Sequence, residues 1–465
     1  MQYISTRGSA PVLGFEDVLL AGLARDGGLY VPETWPQFSA QEIRALAGQR
    51  YQDQVLAVTR PLIDGAIPDD DLADMVEQAY DGFTHPAVVP LKQLSPSTWL
   101  LELFHGPTLA FKDVAMQLLA RLIDYELNRR GQRATIIGAT SGDTGAAAVE
   151  AFKGLKSVDI FILHPEGRVS EVQRRQMTTV TAENVHNIAL QGTFDDCQTI
   201  VKGLFGDLEF RERMNLGGVN SINWARVMAQ IVYFFSSAVA LGGPERAVSF
   251  VVPTGNFGDI FAGYAAKRMG LPIDRLVIAT NVNDILARTL ATGRYQLDDV
   301  VATMSPSMDI QISSNFERVL FDALGRDGDA VTALMGELTE DGGFSIPQNA
   351  IGALRADFDA GRCDEAATLA EIGSTFQQTG ELVDPHTAVG LAVARGFDHP
   401  GQSPVVALAT AHPAKFPDAA QQAAGTVPEL PAHMADLLQR PEQIEVMANS
   451  LDQVRAHIEQ SRNDS

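Results

Sequence analysis

The sequence predicts an α/β protein in which mostly parallel sheets are covered by helices, with a helical cap unit at the N-terminus. Two observations predict it. Short β-rich runs alternate with helix-length segments from residue 99 onward, and those segments repeat their apolar residues every three or four positions, as Val114, Leu118, Leu119, Leu122 and Ile123 do. Alternation of this kind places helices over parallel strands.

Taken in order, the chain opens with a segment of another pattern. Residues 1–95 carry several short helical stretches, a DGGLYVP turn at 26–32 and three acids at 69–71, and are expected to form the cap unit. The runs WLLELF (99–104), ATIIGA (134–139) and VDIFIL (158–163) read as buried strands of a smaller α/β domain spanning 96–225. AVSFVV (247–252), RLVIAT (275–280) and PVVALAT (404–410) read as strands of a larger domain, 226–428, with a Gly-punctuated, acidic helical insertion at 328–380. Residues 429–465 are expected to form a tail of polar helix, QIEVMANSLDQVRAHIEQ, whose end frays.

Length and composition bound the function. A chain of 465 residues, 45% hydrophobic and 20% charged, is expected to fold as two or three packed units. No apolar run reaches the roughly 18 residues of a membrane helix, and residues 1–8 lack the pattern of a secretory signal. Cys197 and Cys363 form no C-x-x-C pair, which excludes a disulfide framework or a cysteine-rich zinc site and fits a reducing cytoplasm. The net charge of −23 disfavours nucleic acid and anionic membranes as partners. Any anionic ligand must therefore be held by local devices, since the global field repels it.

Four loops carry chemistry. HGPTLAFKD, residues 105–113, joins a strand to a long helix and presents Lys112 after an apolar stretch. With seven lysines against 28 arginines, each lysine can be weighed, and a desolvated Lys112 would offer a neutral amine able to attack an aldehyde. A lysine whose stem merely covers apolar surface is the plainer alternative. GATSGDTGAAA, residues 138–148, follows a strand and opens a helix, so its backbone N–H groups can converge on an anion. No lysine lies between Lys112 and Lys153, which excludes a P-loop, and the G-x-G-x-x-G spacing of a dinucleotide fold is missing. A tight turn with Asp143 as helix cap remains open. PTGNFGDIFAG, residues 253–263, is a second Gly-rich strand-to-helix turn, and two such turns beside a lysine suggest more than one bound anion. NSINWAR, residues 220–226, sets amide, hydroxyl and guanidinium groups at a helix mouth; Arg226 could grip a phosphate bidentately or pair with a surface acid.

Together with ATAHPAKF (409–416) and an N-terminal STRG…GLARDGGLYVP (5–32), these motifs resemble, in order and spacing, the fold-type-II pyridoxal-phosphate enzymes of the tryptophan-synthase-β group. Within that group the chain is similar to the threonine synthases of the longer bacterial and fungal branch, over nearly its whole length and least in 329–380 and after residue 428. The wider group has Asn after Ser-Gly in the second loop; here it is Asp143, as in the longer branch.

The resemblance implies two open, mostly parallel sheets, pyridoxal 5'-phosphate as cofactor, and Lys112 carrying it as a Schiff base and then moving protons. It implies that Gly255, Asn256, Phe257, Gly258 and Asp259 cradle the cofactor phosphate and that Thr410 faces the ring nitrogen. Ser141, Gly142 and Thr144 would hold the substrate carboxylate, and Asn220, Ser221 and Arg226 its phosphate. His412 receives no role and no metal is implied. The implied enzyme is a cytoplasmic lyase of amino-acid biosynthesis, a monomer with a dimer as alternative. It turns O-phospho-L-homoserine and water into L-threonine and phosphate by γ-elimination and β-addition of water. A phosphohomoserine lyase, a serine/threonine dehydratase and a non-catalytic cofactor-binding regulator are the rivals.

Overall fold

The computed structural model describes residues 1–140, 142–218, 221–397 and 403–464. The chain forms two compact units, one of Met1–Gly106 with Ser221–Pro428 and one of Pro107–Asn220 with Glu429–Ser465. Among the described residues no helix is long and apolar enough to cross a membrane.

The first unit is built on a six-stranded sheet in the order Phe358–Arg362, Ile273–Thr280, Val248–Pro253, Val405–Ala409, Thr98–Glu102, Leu91–Gln93. All pairings are parallel except the last, and the central strands are buried on both faces, which is why they read as unbroken apolar runs. Leu276 sets the register, opposite Phe250 on one side and Phe358 on the other. Parallel pairing sends the carboxyl ends of Val248–Pro253 and Val405–Ala409 to one edge, so the loops beginning at Thr254 and Thr410 emerge side by side there.

The N-terminal segment is part of this unit. Tyr3 is fully buried with its ring 5.5 Å from that of Trp224, and Asn223 donates to Leu19 O at 2.9 Å. Thr6 Oγ1 donates to Glu317 at 2.6 Å and Arg7 forms an ion pair with the same carboxylate at 3.0 Å. The STRG and DGG motifs interlock: a Cβ at Gly28 would lie 2.3 Å from Ser5 Oγ.

The second unit carries a five-stranded, wholly parallel sheet in the order Glu445–Ala448, Val185–Gln191, Val158–Pro165, Ala134–Ala139, Leu216–Gly218. Phe161, Ile188, Leu190, Cys197 and Leu204 form its core with Val454 and Ile458 of the C-terminal helix Leu451–Asp464.

Three boundaries differ from the sequence expectation. Residues 96–106 belong to the first unit, because Thr98–Glu102 pairs with Val405–Ala409 and not with Ala134–Ala139. The segment 328–380 is not wholly helical: Phe358–Arg362 supplies an edge strand, disguised by Gly361 and two charges, and that glycine lets Val393 approach within 2.6 Å of where a Cβ would stand. Residues 429–465 are not a loose tail. Glu445–Ala448 extends the second sheet, and the helix behind it is anchored by Val454 and Ile458.

Two predictions follow from this packing. Ile458→Ala should destabilise the protein by about 2–5 kcal/mol in chemical denaturation, where a frayed tail would show almost nothing. His186 stacks on Phe161 at 4.3 Å and faces His457, which pairs with Glu445; its Nε2 is buried without a hydrogen-bond partner among the described residues. Burial draws the His186 imidazole down to about 4. The unfolded chain then binds the extra proton between the ordinary histidine value of about 6.5 and 4, so stability falls as pH drops through that window. His186→Phe should flatten the loss of melting temperature between pH 7 and pH 5.

Candidate active site

In the second unit the long helix begins at Lys112, and the turn before it is held by Asp113, whose carboxylate accepts from Thr108 N–H at 2.8 Å and Thr108 Oγ1 at 2.6 Å. Leu109 takes φ +62° in that turn. Lys112 is only 7% exposed, against its expected plain alternative of a stem lying on the surface. Its Nζ lies 3.6 Å from Asp143 Oδ2 and 4.8 Å from the Phe111 ring centroid. Asp143 is likewise buried and accepts from Gln173 Nε2 at 2.8 Å. A buried cation needs this compensation.

Asp143 is not the helix cap. Gly142 occupies the cap at φ +153° and, having no side chain, makes no cap bond; the helix starts at Asp143. Thr140 Oγ1 instead accepts from Gly142 N and Gly145 N, both at 3.0 Å, which tightens the turn. A Cβ at Gly142 would meet the Gln173 side chain at 2.6 Å, so glycine is required there for space and for φ. Thr144 follows in the first helical turn, and Ser141 lies outside the described residues.

In the first unit the helix Gly258–Arg268 has Phe257 at its cap in a left-handed conformation, φ +63°, and again no side chain caps it. The Phe257 ring packs on Phe316 and Phe358, each at 5.5 Å, which holds the unfavourable backbone in place. Gly255 donates space: a Cβ there would lie 2.6 Å from Ser307 O, and Ser313 Oγ donates to Gly255 O at 2.6 Å. Uncapped helix N–H groups at such a turn suit a phosphate. Asp259 can serve only through its N–H, since its carboxylate accepts from the Tyr233 hydroxyl.

Asn223 caps the helix Trp224–Ala240 by accepting from Ala225 N at 2.9 Å. Arg226, in the first turn, is buried; desolvation pulls its guanidinium down to about 10, with Tyr233 and Asp259 opposing the fall. Ser221 contributes its carbonyl to Asn315 Nδ2 at 3.2 Å, and Asn220 lies outside the described residues. Thr410 is buried and donates its N–H to Thr387 Oγ1 at 3.2 Å, while His412 Nδ1 accepts from Ala414 N at 3.1 Å, a structural bond.

Three protein families match the chain: threonine synthase N terminus over residues 2–80, pyridoxal-phosphate dependent enzyme over 84–340, and threonine synthase, C-terminal, over 387–458. A threonine synthase of Pseudomonas aeruginosa is 53% identical over 464 residues, covering 100% of this chain and 99% of its own. The chain belongs to the threonine synthase family. Solved threonine synthases agree with the fold. The PLP-bound protein from Brucella melitensis superposes with TM-score 0.97 at 59% identity over 99% of both chains. The yeast protein gives 0.95 at 40% identity over 100% of this chain and 99% of its own. The chain is thus a pyridoxal-phosphate-dependent enzyme; the first unit offers a helix N-terminus at Phe257 and a buried hydroxyl at Thr410, and the second a buried primary amine at Lys112, which are the kinds of group such a cofactor needs.

Sequence reasoning passed over several residues of this threonine synthase family member. Lys415 is a second buried lysine, fully enclosed at the end of the turn Pro413–Lys415. His386 Nδ1 meets Asp384 at 2.8 Å while its Nε2 accepts from Ser307 N at 3.2 Å, beside Gly255. The other Asp384 oxygen accepts from Thr387, which in turn holds Thr410. Only the sequence DPHT, a helix-start signature at 384–387, hinted at that network. Among the described residues no group of three or more His, Cys, Asp or Glu could hold a metal ion.

Gly255→Ala would push a methyl onto a backbone carbonyl, so it should weaken pyridoxal-phosphate binding by tenfold or more in absorbance titration of the apoprotein, with the fold retained by circular dichroism.

Proposed function

We propose that this enzyme converts O-phospho-L-homoserine and water to L-threonine and phosphate. The observation that carries the reading is the number of anion-directed groups: two strand-to-helix turns whose cap residues make no side-chain bond and, in addition, the buried guanidinium of Arg226. A cofactor phosphate and a substrate carboxylate occupy two; a third is needed only where the substrate carries its own phosphate.

When bound, pyridoxal phosphate supplies an electron sink for negative charge at the substrate Cα. Gly255 to Asp259 hold its phosphate through backbone N–H groups, and Thr410 offers the ring nitrogen a neutral hydroxyl. Gly142 and Thr144, with Ser141, hold the substrate carboxylate at the start of the helix Asp143–Phe152. Arg226, with Asn220 and Ser221, holds the substrate phosphate while it leaves Cγ. Lys112 carries the cofactor and, once displaced by the substrate amine, takes the Cα proton on Nζ. Nζ hands that proton on before it takes one from Cβ as phosphate leaves Cγ; one proton is then returned at Cγ and, after water has added its hydroxyl to Cβ, one at Cα, while the water's own proton leaves on the phosphate. Asp143 beside it balances the charge Nζ acquires. The free thiols of Cys197 and Cys363 support a cytoplasmic location.

The test combines spectrum and products. The purified enzyme should show a visible band that shifts with O-phosphohomoserine while threonine and phosphate form in equal amounts; 2-oxobutanoate without threonine would make it a lyase instead. Lys112→Ala should lose the band. Arg226→Lys keeps the charge but not the fork, and should raise KM for O-phosphohomoserine by tenfold or more, about 1.4 kcal/mol, with cofactor affinity within a few-fold of wild type.

A further inference from the structure

We propose that Asn315, oriented by the buried Arg318, is a positioning residue that fixes the spacing between the cofactor-phosphate loop and the loop leading to Arg226. The inference rests on the roles just assigned to those two loops.

Asn315 is wholly buried and uses its amide completely. Nδ2 donates to Asn256 O at 2.9 Å and to Ser221 O at 3.2 Å, one hydrogen to each loop, and Oδ1 accepts from Arg318 Nη1. The backbone N–H of Asn315 adds a second bond to Asn256 O at 3.0 Å. Arg318 sends two further donors to Tyr30 O at 3.0 Å and Ile222 O at 2.6 Å. Its guanidinium lies 5.9 Å from the Trp224 ring and 5.7 Å from that of Phe261. The two loops therefore share one anchor, and three of their carbonyls are tied to it.

A trans peptide carries its C=O and the following N–H on opposite sides. Turning Asn256 O toward Asn315 aims the N–H of Phe257 the other way, and turning Ser221 O and Ile222 O inward does the same for the N–H groups of Ile222 and Asn223. The anchor so decides where donors of both loops point. Space is closed as well: a Cβ at Gly258 would lie 3.3 Å from Asn315 Nδ2 and 3.6 Å from Ser221 O. Swapping the amide for a carboxylate of the same shape would set an acceptor against two carbonyls.

The experiment is Asn315→Asp, with Arg318→Lys as a second variant, read by pyridoxal-phosphate titration of the apoprotein and by steady-state kinetics with O-phosphohomoserine. The expected result for Asn315→Asp is at least a tenfold rise in both the cofactor Kd and the substrate KM, with kcat within threefold; Arg318→Lys should move both the same way by less. If Asn315→Asp does not fold, Asn315→Ser, which keeps one donor, is read by the same criteria. A variant that melts earlier yet keeps wild-type Kd and KM would overturn the inference and leave the functional reading standing. A wild-type enzyme that forms no cofactor band or makes no threonine from O-phosphohomoserine would overturn both.

Discussion

Anions inside a protein of net charge −23 have to be attracted over a few ångströms against a field that repels them at longer range. This constraint explains the choice of fold class better than any single contact. In a parallel sheet every strand delivers the chain to the same edge, and every helix that follows presents its uncapped N–H groups there. The turns at Gly142 and Phe257 are built that way, each with a cap residue that makes no side-chain bond. Backbone donors carry no net charge, so they can be buried without a compensating carboxylate and can be aimed by backbone geometry alone.

Two of the buried cations are compensated by a nearby carboxylate. Lys112 sits beside Asp143, and Arg226 lies in the field of Asp259. Arg318 adds a second kind of partner: besides the field of Glu317 it has two carbonyls and the amide oxygen of Asn315, and desolvation draws it down to about 9. It stays cationic near neutrality because a planar fork spreads the charge over several oriented dipoles. A lysine's single ammonium could not bridge Tyr30, Ile222 and Asn315 at once.

The central strands and the four loops were legible because their signals are local. An apolar run bounded by glycines marks a strand buried on both faces, and a small-residue turn after it marks an anion cradle. What was not legible depends on partners distant in sequence. Phe358–Arg362 carries no strand signal of its own and becomes a strand only through Ile273–Thr280. Glu445–Ala448 is four residues inside a polar stretch that fits a helix equally well until Val185–Gln191 is beside it. Arg226 read as a phosphate grip or a surface-paired guanidinium, since its burial in the field of Asp259 depends on a second helix start distant in sequence. Asn315 and Arg318 lie in no motif, and their meaning is entirely in the carbonyls they reach.

The N-terminal motif can now be given a physical account. STRG and DGGLYVP touch no proposed ligand group, yet they match a family named for the same enzyme. Arg7 and Thr6 hold the carboxylate of Glu317, Tyr30 O accepts from Arg318, and Tyr3 and Leu19 pack on Trp224 and Asn223. These contacts fall on the residues immediately behind Asn315 and immediately ahead of Arg226. A segment that fixes both sides of one hydrogen-bonded triangle is constrained as tightly as the triangle itself, because a shift of its backbone would move Ile222, and with it the donors of the loop that ends at Arg226. Sequence specificity in a part of the chain remote from the chemistry is what such a buttress requires.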